Sequence, residues 1–124
     1  MIKVVKIGDK DVTLKTSAAL PHIYRRTFNR DIFLDMTKMS QSVTVREDGT
    51  SELHDPAVIE MFEDMAYCFA KHADPDVPDD PMEWFAQFEM FDIYKLIPVI
   101  TDMWNGERKT TSKIKKKSAA PQEK

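Results

Sequence analysis

Three histidines, one cysteine and a run of aspartates are the side chains in this chain best suited to catalysis or metal binding. His22, His54 and His72 lie in separate stretches, and none has a second histidine three or four positions away, the helical spacing that lets two ring nitrogens meet one ion. They read as surface side chains. Asp74, Asp76, Asp79 and Asp80 could offer a hard cation several oxygens, but Pro75 and Pro78 interrupt them. Neither the turn glycine nor the terminal glutamate of an EF-hand is present, so the four read as loop aspartates, one of them a helix cap. Cys68 stands between Tyr67 and Phe69, with no cation within a helical turn on its N-terminal side to lower its pKa, and reads as an inert thiol. Nucleophile elbows and paired carboxylates in a recognisable setting are missing, and 3 glycines leave little for a phosphate cradle. The chemistry predicted is therefore non-enzymatic, with no cofactor, no metal and no catalytic residue.

A denser signal is aromatic. Trp84, Phe85, Phe88, Phe91 and Tyr94 crowd one short segment, with Trp104 further on and 8 methionines in the chain. At helical spacing such rings fill a core. A small domain cannot bury them all, so these five are also the candidate partner-binding residues, suited to gripping an apolar segment of another chain.

Elements that would position these rings can be placed from caps and periodicity. IKVVKI at 2–7 and VTLK at 12–15, across a Gly8-Asp9-Lys10-Asp11 turn, predict a β-hairpin that must lie on something apolar. Leu20, Ile23, Tyr24 and Phe28 share a helical face, Pro21 suits its first turn, and Asn29 suits a left-handed stop. Asp31 can cap a second helix with Ile32, Phe33 and Met36 facing inward. Residues 41–54 read as a loop holding at most a short edge strand. Asp55-Pro56 opens the longest amphipathic helix, to about Ala73, with Val58, Met61, Phe62, Met65, Ala66, Phe69 and Ala73 as its stripe. After the proline-aspartate loop, Asp80 caps a helix carrying Trp84, Phe85 and Phe88, with Glu83 placed to complete a capping box. Asp92 is expected to cap the last helix, which Pro98 should kink or split and Asn105-Gly106 should end.

The predicted fold class is thus α+β, mostly α: an N-terminal β-hairpin packed on a bundle of about five short helices, with a disordered basic C-terminal tail. At 124 residues, 42% of them hydrophobic and 31% charged, the chain suits one core, with residues 1–106 as the folded domain and 107–124 as the flexible tail. Charge divides along the same line. Residues 105–124 hold seven basic side chains against Glu107 and Glu123, a net of +5, which leaves −8 on residues 1–104 of an overall −3. Such blocks mark solvated interaction tails. The acidic body would repel DNA, which makes nucleic acid an unfavoured partner. No apolar run approaches the roughly 20 residues that span a bilayer, and one cysteine permits no internal disulfide, so a cytoplasmic protein without membrane contact is expected.

Two stretches carry a resemblance, TLKTSAALPHIYRRTFNRDIFLDM and ADPDVPDDPMEWFAQFEMFDIYKLIPVITDMW. Over about residues 1–105 the chain resembles the tail assembly chaperones of long-tailed, siphophage-type phages and prophages of Gram-positive bacteria. The residues concerned are Ala19-Leu20-Pro21, Tyr24-Arg25, Phe28, Arg30-Asp31, Trp84, Phe88, Phe91-Asp92, Tyr94 and Trp104, with Asn29 where a glycine is common. The resemblance implies a chaperone that binds the tape measure protein, keeps it soluble and helps recruit tail tube subunits during tail morphogenesis. It implies action in the host cytoplasm and absence from the mature virion. It carries over no binding residue. The alternative from the residues alone is a small cytoplasmic adaptor or regulator that meets nucleic acid or an acidic partner through the basic tail.

Overall fold

Apolar and polar residues alternate on either side of a tight glycine turn, and in the computed structural model this segment is an antiparallel hairpin, β1 (Ile2–Ile7) with β2 (Lys10–Lys15). The structure describes the backbone of residues 1–48 and 51–122 and the side chains of residues 1–48 and 52–109. The turn is shorter than expected, only Gly8-Asp9, and Gly8 sits at φ +64°, where a Cβ would be strained. Lys3 opposite Leu14, Val5 opposite Val12 and Ile7 opposite Lys10 share one face, on which Ile7, Val12 and Leu14 are buried. Ile2 and Val4 belong to the other face and are exposed.

Helix α1 (Leu20–Phe28) takes Pro21 in its first turn and ends at Asn29, which adopts the left-handed conformation expected of it at φ 57°. Asp31 then caps α2 (Ile32–Ser42), its carboxylate accepting from the backbone N–H of Phe33 at 2.7 Å and of Leu34 at 3.3 Å. Phe33 corrects the expected inward set. It is 55% exposed, because the buried face of α2 is Ile32, Asp35, Met36 and Met39, and Phe33 lies about 100° around the helix from Ile32. Its ring rests on Trp104 at 5.3 Å.

Residues 41–54 also hold more order than a loop. Strands β3 (Val43–Val45) and β4 (Ser51–Leu53) form a second antiparallel hairpin, braced by an Arg46–Glu52 ion pair. Polar composition hid it, since a two-stranded arm needs few apolar residues when only Val43 and Leu53 pack against the core.

The long helix α3 (Pro56–Ala73) begins as predicted, with the Asp55 carboxylate accepting from the Ala57 N–H at 3.0 Å. Val58, Phe62, Met65, Ala66 and Phe69 of its stripe are buried, and Met61 and Ala73 are half-buried. Tyr67, Cys68, Ala70 and even Asp64 are buried as well, because β2, α1, α2 and the segment after α3 pack on it from several sides.

Tertiary contacts hold the acidic loop that follows. Lys71 Nζ donates to the carbonyls of Pro75 (3.1 Å) and Val77 (2.6 Å) and pairs with Asp79, while Tyr67 Oη donates to the Pro78 carbonyl at 2.5 Å. Helix α4 (Pro81–Phe85) is a short turn of helix capped by Asp80, whose carboxylate takes the Met82 N–H at 3.0 Å. The capping box would have used the Glu83 N–H. Phe88 falls beyond the end of α4 rather than on it.

The last predicted helix is two elements. Residues Asp92–Leu96 form a 3₁₀ turn entered at Phe91 without a side-chain cap, so Asp92 is not the cap expected; its carboxylate accepts from Lys95 Nζ at 3.1 Å. Helix α5 (Ile97–Gln122) then starts with Pro98 as its second residue, where the missing N–H costs nothing. The expected stop at Asn105-Gly106 is overturned, because α5 continues through both. One glycine costs a helix only about 1 kcal/mol, which contacts of its neighbours can offset. A Cβ on Gly106 would lie 2.9 Å from the Met1 side chain. Beside it the terminal ammonium stands 3.6 Å from Glu107, and Thr16 Oγ1 donates to the same carboxylate at 2.8 Å. The side chains of 110–124, on which most of the expected flexible tail falls, lie outside the described residues. Among the described residues, no helix is long and apolar enough to cross a membrane.

Candidate functional site

Of the five rings expected to meet a partner, the fold commits some to the interior and leaves one outside. Trp84, held at the fourth position after the Asp80 cap, is buried, with the rings of Tyr67, Phe85 and Phe88 at 5.9, 5.3 and 5.1 Å. Phe28 and Tyr24 extend the same stack through Tyr67. Phe85, Phe88 and Tyr94 are half-buried, and Tyr94 Oη donates to Glu63 at 3.2 Å with its ring 6.2 Å from that of Phe62. Burial holds the Glu63 carboxyl above the ordinary carboxylate range, against the hydrogen bond from Tyr94. Phe91 is 72% exposed, and Met82 and Met90 are exposed with it. The large apolar side chains this segment exposes are therefore two flexible thioethers and one ring, a set that adapts to irregular apolar partners.

A cleft of about 150 Å³ opens beside it, between the turn end of β2 and the loop after α3. Val77, Trp84 and Phe88 give it an apolar floor, and Asp11, Asp74 and Asp76 stand at its rim beside Lys10. Among the described residues no ion pair engages those three carboxylates, although Asp74 also accepts the Asp76 N–H at 2.9 Å. From residue 74 to 92 the chain holds seven acids and no base.

Sequence reasoning missed the most concentrated polar contact among the described residues. Arg30, in the link between α1 and α2, reaches three groups at once. Its Nε donates to Asp35 Oδ2 at 2.9 Å, and its Nη2 donates to Tyr24 Oη at 3.0 Å and to Asp64. Tyr24 Oη donates in turn to Asp35 at 2.6 Å. The guanidinium also lies 5.5 Å from the centre of the Tyr24 ring and 5.7 Å from that of Phe28. Burial works against the Arg30 charge, but hydrogen bonds to Asp64, Asp35 and Tyr24 outweigh it and hold its pKa above the ordinary value. Burial pushes the Asp64 carboxyl up, opposed by Arg30, and burial with the Asp35 contact pushes the Tyr24 phenol up. Three helices thus meet on one cation that carries two carboxylates. A signal was present in the sequence: Asp35 and Asp64 are acids at core positions of otherwise apolar faces, where only a counter-ion makes them tolerable.

The remaining reactive groups are occupied structurally. Burial pushes the Cys68 thiol up to about 12, so it stays protonated near neutrality and is a poor nucleophile. His72 Nε2 lies 2.7 Å from Ser17 Oγ, joining the end of α3 to the start of α1. Among the described residues no group of three or more metal-ligating side chains comes together. No family model, no curated protein and no solved structure matches this chain.

Proposed function

We propose that this protein is a tail assembly chaperone of a long-tailed phage or prophage, which binds apolar stretches of the tape measure protein, keeps it soluble and helps recruit tail tube subunits. The observation that carries the reading is the exposure of Met82, Met90 and Phe91 within ten residues of an otherwise acidic segment. Exposed thioethers and a ring grip apolar side chains of varied shape, and surrounding carboxylates keep the free chaperone from aggregating. The ordered resemblance over about residues 1–105 supports the same conclusion. On this reading the protein acts in the bacterial cytoplasm and leaves before the particle is complete.

Co-expression tests it. The native chain should hold its tape measure protein in the soluble fraction, and a Met82→Glu/Phe91→Glu variant should lose most of that effect while keeping its thermal midpoint. A client that precipitates beside folded native chaperone would refute the proposal. The second reading, an adaptor working through the basic tail, draws on the +5 of residues 105–124. It predicts instead that reversing the charge of Lys115, Lys116 and Lys117 abolishes function while Met82→Glu/Phe91→Glu does not.

A further inference from the structure

The course of α5 and the position of the cleft together assign a role to the charge division. Asp92, just before α5, has its carboxylate 3.4 Å from where a Cβ of Gly8 would be, at the turn of the first hairpin. Glu107 meets Met1 and Thr16, at the open end of that hairpin. Helix α5 therefore runs from the turn end to the open end, and its continuation to Gln122 leads away from the turn. The cleft lies at the turn end, beside Lys10, Asp11, Val12 and Thr13 of β2. A helix rising about 1.5 Å per residue carries Lys113–Lys117 roughly 9 to 15 Å past Glu107, away from the cleft of its own body.

Complementarity between the two is nevertheless specific. Ile114 is the one large apolar residue among 107–124, and Lys113 and Lys115 adjoin it, with Lys116 and Lys117 following. The cleft has the reverse pattern, an apolar floor of Val77, Trp84 and Phe88 with Asp11, Asp74 and Asp76 around it. About 150 Å³ is room for one branched aliphatic side chain. We infer that the cleft receives the Ile114 segment of a second copy of this chain, lysines on carboxylates, in a head-to-tail contact. Such a contact uses different surfaces on its two partners, so it leaves a free tail at one end and a free cleft at the other, and copies add in series. Met82, Met90 and Phe91 are not among the residues that line the cleft, and the inference does not depend on which client those residues hold.

Sedimentation of the full chain tests it, with nucleic acid excluded by absorbance. The native protein should associate at about 20 mM salt and dissociate by about 0.5 M, where screening shortens to a few ångströms. Ile114→Asp and Asp74→Lys/Asp76→Lys should each weaken association by on the order of tenfold, with unchanged thermal midpoints. Mixing the two variants gives the decisive result. One keeps an intact cleft and the other an intact tail, so together they should form a dimer that grows no further. A native chain that stays monomeric at low salt overturns the inference. So does association that both variants retain, association that requires nucleic acid, or a mixture that forms no dimer.

Discussion

The helical interior around Arg30 and the segment from residue 74 to 92 are built from similar materials, carboxylates and aromatic rings, and the fold treats them in opposite ways. Around Arg30, two carboxylates and a phenol are drawn inward and their charge is met by one guanidinium flanked by rings. In the later segment seven acids have no base among them, and the cations that reach two of them, Lys71 on Asp79 and Lys95 on Asp92, come from outside it. Six of those acids are exposed and Asp92 is half-buried, and the rings sort themselves by reach, Trp84 inward and Phe91 outward. The difference teaches that burial of charge in this chain follows the counter-ion. Where one cation can satisfy several acids, helices close on it; where none can, the surface stays acidic and available to partners.

The largest test of that contrast is Arg30→Met, which keeps much of the apolar stem and removes the charge. Asp35 and Asp64 would then be buried without a counter-ion, and breaking such a contact costs about 3 to 5 kcal/mol. Thermal unfolding should show a midpoint lowered by about 10 to 20 °C. A loss of only a few degrees would mean that the carboxylates are protonated at no cost and that the cation is dispensable.

Next in size is the division of the rings. Trp84→Ala should cost about 3 kcal/mol, since it removes the ring on which Tyr67, Phe85 and Phe88 converge. Phe91→Ala should change stability by less than about 0.5 kcal/mol. Denaturant midpoints of the two variants compare them directly, and equal losses would erase the distinction between core ring and client ring.

The smallest effect is one of pH and belongs to the margin between the two regions. Partial burial, Lys15 and the N-terminus hold His72 below its ordinary value of 6.5. The folded residue therefore gives up its proton more readily than the unfolded one. Its contribution is present above about pH 6.5 and is lost as pH falls through the lowered value. Asp64 and Glu63, both pushed up, slope the other way: what they contribute is present at low pH and lost as pH rises through their raised values. Comparing His72→Gln with the native chain from pH 7 to 5 isolates the histidine. The native midpoint should fall relative to the variant's across that interval, and parallel curves would show that His72 titrates alike folded and unfolded.

Much of this architecture was legible in local sequence because its signals act over a few residues. Asp31, Asp55 and Asp80 cap helices because a short carboxylate can reach the next free N–H groups, and Asn29 turns the chain because it tolerates a left-handed backbone. The stripe of α3 follows from the helical period alone. Neighbours distant in sequence decided the rest. Asp35 and Asp64 are core residues only because Arg30 arrives between them, and Phe33 is exposed because Asp35 shares the inward face of α2 in its place. Gly106 continues a helix that its type would end, and the next residue, Glu107, is tied to Thr16 and the N-terminus at the open end of the first hairpin. Which of Trp84 and Phe91 became core depended on the position of Tyr67. Caps, turns and periodicity are set by bonds within one or two turns of chain, so sequence alone determined them. The placing of charge and rings depends on contacts made across tens of residues, and only the packed structure brings those partners within reach.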